Sequence, residues 1–126
     1  MDERSTTITI GGVDYSMTLT TRATKEIAGR YGGLENLGDR LMQSENFEQA
    51  LEEIVWLITL LVNQSIMIHN YQNPDEQKEV LTEGLVELLT TPYDLAEYKD
   101  AIMEALQRGT HRNVESEDDG KNTEDE

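Results

Sequence analysis

The stretch FEQALEEIVWLITLLVNQSIMIHN, Phe47 to Asn70, decides how the rest of the chain must be arranged. Ala50, Leu51, Ile54, Val55, Leu57, Ile58, Leu61, Val62 and Ile66 recur in helical register along it. Trp56 and Leu60 widen that stripe until the middle turns are apolar nearly all round, and such a helix has to be covered on more than one side. Full burial of a large apolar side chain contributes about 1.5–3 kcal/mol, so this segment is expected to supply most of the core. Trp56 and Leu60 are open to two readings: further core, or a contact surface for a partner. Ser44 and Asn46 are both capping residues for the start, and Asn46 with Gln49 has the pattern of a capping box. The apolar run Ile54 to Val62 is broken by Thr59 and followed by Asn63-Gln64. It falls short of the roughly 20 apolar residues that span a bilayer.

Toward the N-terminus, Thr6 to Ile10 and Val13 to Leu19 alternate apolar and polar residues around Gly11-Gly12. That is the pattern of a two-residue hairpin, with Ile8 and Ile10 on one face and Val13, Tyr15, Met17 and Leu19 on one face of the second strand. A lone hairpin is marginal in water, so this one must lie against helices. Thr20-Thr21 offers a helix N-cap, Ala23, Ile27 and Tyr31 follow at helical spacing, and Gly32-Gly33 is a stop. A short second helix is expected around Leu34, Leu37 and Leu41.

Toward the C-terminus, Gln72 to Lys78 is a polar connector. Thr82 can cap a short helix carrying Leu85, Leu88 and Leu89. Thr91-Pro92 with Asp94 marks the start of a last helix whose stripe is Leu95, Tyr98, Ile102, Ala105 and Leu106, and Gly109 is placed at its end. That stripe is expected to pack on the long central helix. From Thr110 to Glu126 one valine is left among polar and charged residues, too little for a core. The pattern therefore predicts an α+β fold, mainly α. A β-hairpin packs on a small bundle of four to five helices in one domain over residues 1–109, and a disordered acidic tail covers 110–126.

With 26 acidic and 10 basic residues the chain carries a net charge of −16. Phosphate backbones and anionic membrane surfaces repel such a chain, so neither nucleic acid nor membrane is expected as a partner. The same charge suits a protein that keeps a sticky partner in solution. No cysteine is present, which removes disulfides, thiolate zinc sites and cysteine nucleophiles. Met1 to Arg4 lacks the basic-then-apolar pattern of a secretory signal, and a cytoplasmic location is expected.

Catalytic and metal-binding patterns fail for want of residues. His69 and His111 are the only histidines, and neither HExxH, GxGxxG, GxSxG nor a phosphate-binding loop occurs. His69 reads as a favourable residue near the C-terminal end of the long helix. Glu115, Glu117, Asp119, Gly120 and Glu126 match calcium-loop positions superficially, but the first two ligand positions hold Glu in place of Asp and the second helix of such a site is not expected. No enzymatic activity, cofactor, metal or catalytic residue is expected.

Three segments together resemble a known family: ITIGGVDYSMTLTTRATKEIAGRYGGLENLG (Ile8–Gly38), ENFEQALEEIVWLITLLVNQSIMIHN (Glu45–Asn70) and LTEGLVELLTTPYDLAEYKDAIMEALQRGTHRNVESE (Leu81–Glu117). Their order and pattern are similar to the tail assembly chaperones of long-tailed, siphovirus-type bacteriophages and prophages of Gram-positive hosts. The resemblance implies a non-catalytic factor that coats the tape measure protein, keeps it soluble and promotes assembly of the tail tube protein around it. It also implies action in the host cytoplasm, absence from the mature virion and a longer, frameshifted form of the same protein. Trp56 and Leu60 are the candidate partner-binding residues. Two other functions stay open: an acidic DNA mimic that inhibits a nucleic-acid-binding protein, which would use the charge, or a structural tail component retained in the virion.

Overall fold

The computed structural model describes residues 5–33, 37 and 47–119, with backbone alone for 47 and 111–119. Strands β1 (Ser5–Ile10) and β2 (Val13–Thr18) form an antiparallel hairpin. Gly11 and Gly12 both have positive φ, 59° and 83°, as the tight two-residue turn requires. The register pairs Ile10 with Val13, Ile8 with Tyr15 and Thr6 with Met17. All six therefore share one face, and Ile8, Ile10 and Met17 are buried there. At the open end of the hairpin the hydroxyls of Ser5, Thr18 and Ser65 form a chain with 2.7 Å links, tying the strands to the central helix.

Helix α1 (Thr21–Tyr31) starts where Thr20 accepts from the Ala23 N–H at 3.0 Å and ends at Gly32, in the left-handed conformation. Its buried residues are Ala23, Ile27 and Tyr31, one stripe. The short helix expected next lies outside the described residues apart from Leu37, whose side chain is fully buried. The expected capping box at Asn46 also lies outside them. Helix α2 (Phe47–Gln72) buries Ile54, Val55, Leu57, Ile58, Leu61, Val62 and Ile66, and the hairpin and the other described helices pack around it. Taken whole, α2 is long and apolar enough to cross a membrane, which the run Ile54 to Val62 alone is not. Within the fold it is the core helix, and 61% of its most apolar window is buried.

The connector after α2 is held by side chains of α2 itself. Asn63 donates to the Leu81 carbonyl at 2.9 Å and accepts from the Leu81 N–H at 2.8 Å. Asn70, two turns on, does the same for Lys78 at 2.9 and 2.8 Å. Two asparagines thus imitate a pairing strand. His69 Nε2 donates to the Glu76 carbonyl at 2.9 Å, and its Nδ1 lies 3.3 Å from the Asn73 amide.

Helix α3 (Glu83–Leu89) is capped by Thr82, which accepts from the Leu85 N–H at 3.1 Å. Helix α4 (Pro92–Asp119) opens with a reciprocal box: Thr91 N–H donates to Asp94 at 3.0 Å, and Asp94 N–H to Thr91 Oγ1 at 3.2 Å. Leu95, Ile102, Ala105 and Leu106 are its buried stripe, packed on α2 and β1. Polar side chains of α4 also reach the outer edge of β1: the Tyr98 hydroxyl donates to the Thr9 carbonyl, and Arg108 donates to the Ser5 carbonyl at 3.2 Å.

The helix stop expected at Gly109 is not there. Gly109 keeps right-handed helical geometry, since the positive-φ glycines among the described residues are 11, 12, 32 and 33. Helical backbone continues to Asp119, so 110–119 extend α4 and 120–126 lie outside the described residues. The glycine serves close approach instead. A Cβ at 109 would fall 2.8 Å from Leu19 Cβ and 2.9 Å from Leu19 Cδ2. The absence of a side chain there lets α4 lie against the residue that leaves β2.

Candidate partner-binding surface

Trp56 and Leu60 both sit at the margin of the core, partly buried and packed against it. The Trp56 ring meets Tyr31 edge to face, with centroids 6.1 Å apart and planes at 71°. The Arg30 guanidinium lies 4.4 Å from the Trp56 centroid and 5.8 Å from that of Tyr31. The Tyr31 hydroxyl donates to Glu53, a buried carboxylate one turn before Trp56. Burial and then the hydrogen bond to Glu53 push the Tyr31 phenol up to about 12. The result is a clasp in which the last turn of α1 grips the early turns of α2. The cation over Trp56 covers part of the ring that the sequence pattern offered to a partner.

Among the described residues, an open apolar surface lies elsewhere, on α3, and Val13, Tyr71, Val80 and Met103 are exposed at other places. This helix has seven residues and buries one of them, Val86. At about 100° per residue, Leu85, Leu88 and Leu89 fall within one arc of about 100°, with Leu88 farthest from Val86 and Leu89 nearest to it. All three are exposed, Leu88 by 83%. Leu89 leans toward the hairpin turn, where a Cβ on Gly11 would lie 3.3 Å from its Cδ1. Tyr93, in the first turn of α4, is 72% exposed. Three leucines on one short helix read equally well as core or as surface in sequence. What decides is the docking of α3 through Val86, a tertiary fact.

Among the described residues, two clefts lie against α2. One, of about 290 Å³, lies between its first turns and the α3–α4 junction; Leu51, Val55 and Leu95 give it apolar walls and Glu48, Glu52 and Glu87 an acidic rim. The other, of about 490 Å³, separates β2 from Lys78 and Glu79 of the connector and is floored by Val62 and Ile66. Ser65 and His69 line this second cleft, four residues apart, yet they do not form a nucleophile–base pair. Ser65 Oγ shares a hydrogen with Thr18, and both His69 nitrogens face connector partners. Among the described residues no group of three acidic, histidine or cysteine side chains is placed to hold a metal ion. What the surface offers chemically is apolar contact within a strongly negative field.

Comparison of the chain with protein-family models, with curated proteins and with solved structures gives no match.

Proposed function

We propose that the chain is a tail assembly chaperone of a long-tailed bacteriophage or prophage, a non-catalytic protein that binds the tape measure protein in the host cytoplasm. The observation that carries this reading is the exposed leucine ridge of α3, with Tyr93 nearby, on a chain of net charge −16. Exposed contiguous apolar side chains on a highly charged protein mark a contact site, because scattered ones need no partner but a ridge invites one. A long helical protein with unassembled apolar stripes supplies the matching surface, by helix against helix. The charge then keeps the complex dispersed until tail tube subunits replace the chaperone. Trp56 has a supporting part in this scheme, fixing α1 against α2 through Tyr31 and Arg30, and Leu60 packs against the core. The resemblance of the three sequence segments to such chaperones supports the same reading.

The test is co-expression with the tape measure protein of the phage that encodes this chain. Soluble tape measure protein with the native chain, and insoluble protein with Leu88→Glu, is the expected outcome. Equal solubility in both would remove the ridge from the mechanism. Retention of the chain in purified virions would favour a structural tail component instead.

A further inference from the structure

We propose that the free edge of β2 accepts an extended, positively charged segment of another protein as a third strand. The two edges of the hairpin differ. With Ile10 and Val13 closing the turn, hydrogen-bonded pairs alternate along the ladder, so the main-chain groups of Ser5, Thr7 and Thr9 point outward from β1, and those of Asp14, Ser16 and Thr18 outward from β2. The β1 edge is partly covered: its Thr9 and Ser5 carbonyls are taken by Tyr98 and Arg108 of α4, while Thr7 borders a cleft of about 600 Å³ against α3 and α4. The β2 edge is not. Among the described residues no donor or acceptor reaches the outward N–H and C=O of Asp14 and Ser16, and at these positions the edge faces the cleft of about 490 Å³. An exposed row of such groups is a template for a strand, and this one stretches about 13 Å, four residues at roughly 3.3 Å each.

The cleft is preformed. Its far wall, Lys78 and Glu79, is fixed to α2 by the paired hydrogen bonds of Asn70 with Lys78, and its floor is the buried Val62 and Ile66. A strand laid there gains main-chain bonds to Asp14 and Ser16 while alternate side chains turn toward the α2 side of the cleft. Asp14 and Glu79 outnumber Lys78 along the rim, and the whole chain is negative, so the side chains that face outward from the incoming strand are Lys or Arg. A second copy of the chain does not fit: it brings the same −16 charge, and its β2 carries its own connector wall into the space. The inference is independent of the chaperone reading, since helical segments belong on the α3 ridge and an extended one belongs here.

The experiment is an NMR titration of the full chain with a capped peptide of about seven residues alternating Val and Lys, read by amide hydrogen exchange. The Asp14 and Ser16 amides exchange fast in the free protein and slow by about ten-fold or more at saturation, with Thr7 and Thr9 unchanged. N-methylating alternate peptide residues removes the strand donors and abolishes the protection without touching the protein. Ser16→Pro deletes the edge N–H and weakens binding by about ten-fold or more, in a protein whose Tyr15 and Met17 amides stay protected. Shifts confined to Leu85 through Tyr93 would overturn the proposal, as would undiminished binding of the N-methylated peptide. Protection of Asp14 and Ser16 in concentrated protein alone would also overturn it, by putting a second copy in the cleft.

Discussion

Replacing Gly109 by Ala isolates a single packing contact, because the same substitution at two other helical glycines has the opposite sign. In an unstrained helix, Gly→Ala stabilises by about 1 kcal/mol through backbone entropy. Gly29 in α1 and Gly84 in α3 have open space where a Cβ would be, with no atom within 4 Å, so each gains about that much. At Gly109 the new methyl meets Leu19 Cβ at 2.8 Å, Cδ2 at 2.9 Å and Cγ at 3.2 Å. Leu19 cannot swing away, since the nearest atom is the one fixed to its backbone. Overpacking of this kind costs about 1–3 kcal/mol, so the net change at 109 is about 0–2 kcal/mol destabilising. The difference between Gly29→Ala and Gly109→Ala is then the packing cost alone, about 1–3 kcal/mol. Urea unfolding of the three variants with a common slope measures it. A double-mutant cycle with Leu19→Ala should return a coupling smaller than this, because the shorter side chain removes the Cγ and Cδ2 contacts but keeps the Cβ that lies 2.8 Å from the new methyl. Gly109→Ala stabilising as much as Gly29→Ala would refute the close approach of α4 to the end of β2.

Trp56→Ala loses an edge-to-face ring pair, the Arg30 contact and its buried area, and should cost about 2–4 kcal/mol in thermal or urea unfolding. Leu88→Glu, at a position already in water, should change stability by less than about 0.5 kcal/mol while removing partner binding, which separates ridge from core. Asn63→Ala leaves both main-chain groups of Leu81 without their partner and should cost about 1–3 kcal/mol, with faster exchange at the Leu81 amide. In a spectrophotometric titration, Tyr31 should ionise at about 12, its neutral form being favoured in the fold. With the folded value raised above 10.0, the stability tied to it is present below pH 10 and is lost as pH rises toward 12. Ionisation of all five tyrosines in one step near 10 would contradict the clasp with Glu53.

Local chemistry was legible wherever a residue has one physical use. Gly11-Gly12 between alternating runs specifies the turn and with it the register, and Thr20, Thr82 and Thr91 cap the helices they precede. The stripe Leu95 to Leu106 needed only helical periodicity. Residues with two uses were misread or left open. A glycine late in a helix signals a stop and a close approach alike, and Gly109 is the second. Asn63 and Asn70 look like polar interruptions of an apolar helix, yet each holds both main-chain groups of a connector residue. Trp56 was recognised as standing at the edge of the stripe, but nothing in the pattern puts Arg30 over its ring. The leucines of α3 are assigned to the surface only by the docking of Val86, and the β2 edge is open because no described group reaches Asp14 and Ser16 as Tyr98 and Arg108 reach β1.

The most direct test of the central claim is a pull-down of the tagged full chain from phage-producing cells, run side by side with Leu88→Glu at low salt and at about 0.5 M salt. Recovery of the tape measure protein by the native chain at both salt concentrations, and its loss with Leu88→Glu, is the predicted result. Recovery of a nucleic-acid-binding protein that disappears in high salt, equally with both chains, would contradict the account and make the acidic surface, rather than the leucine ridge, the functional site.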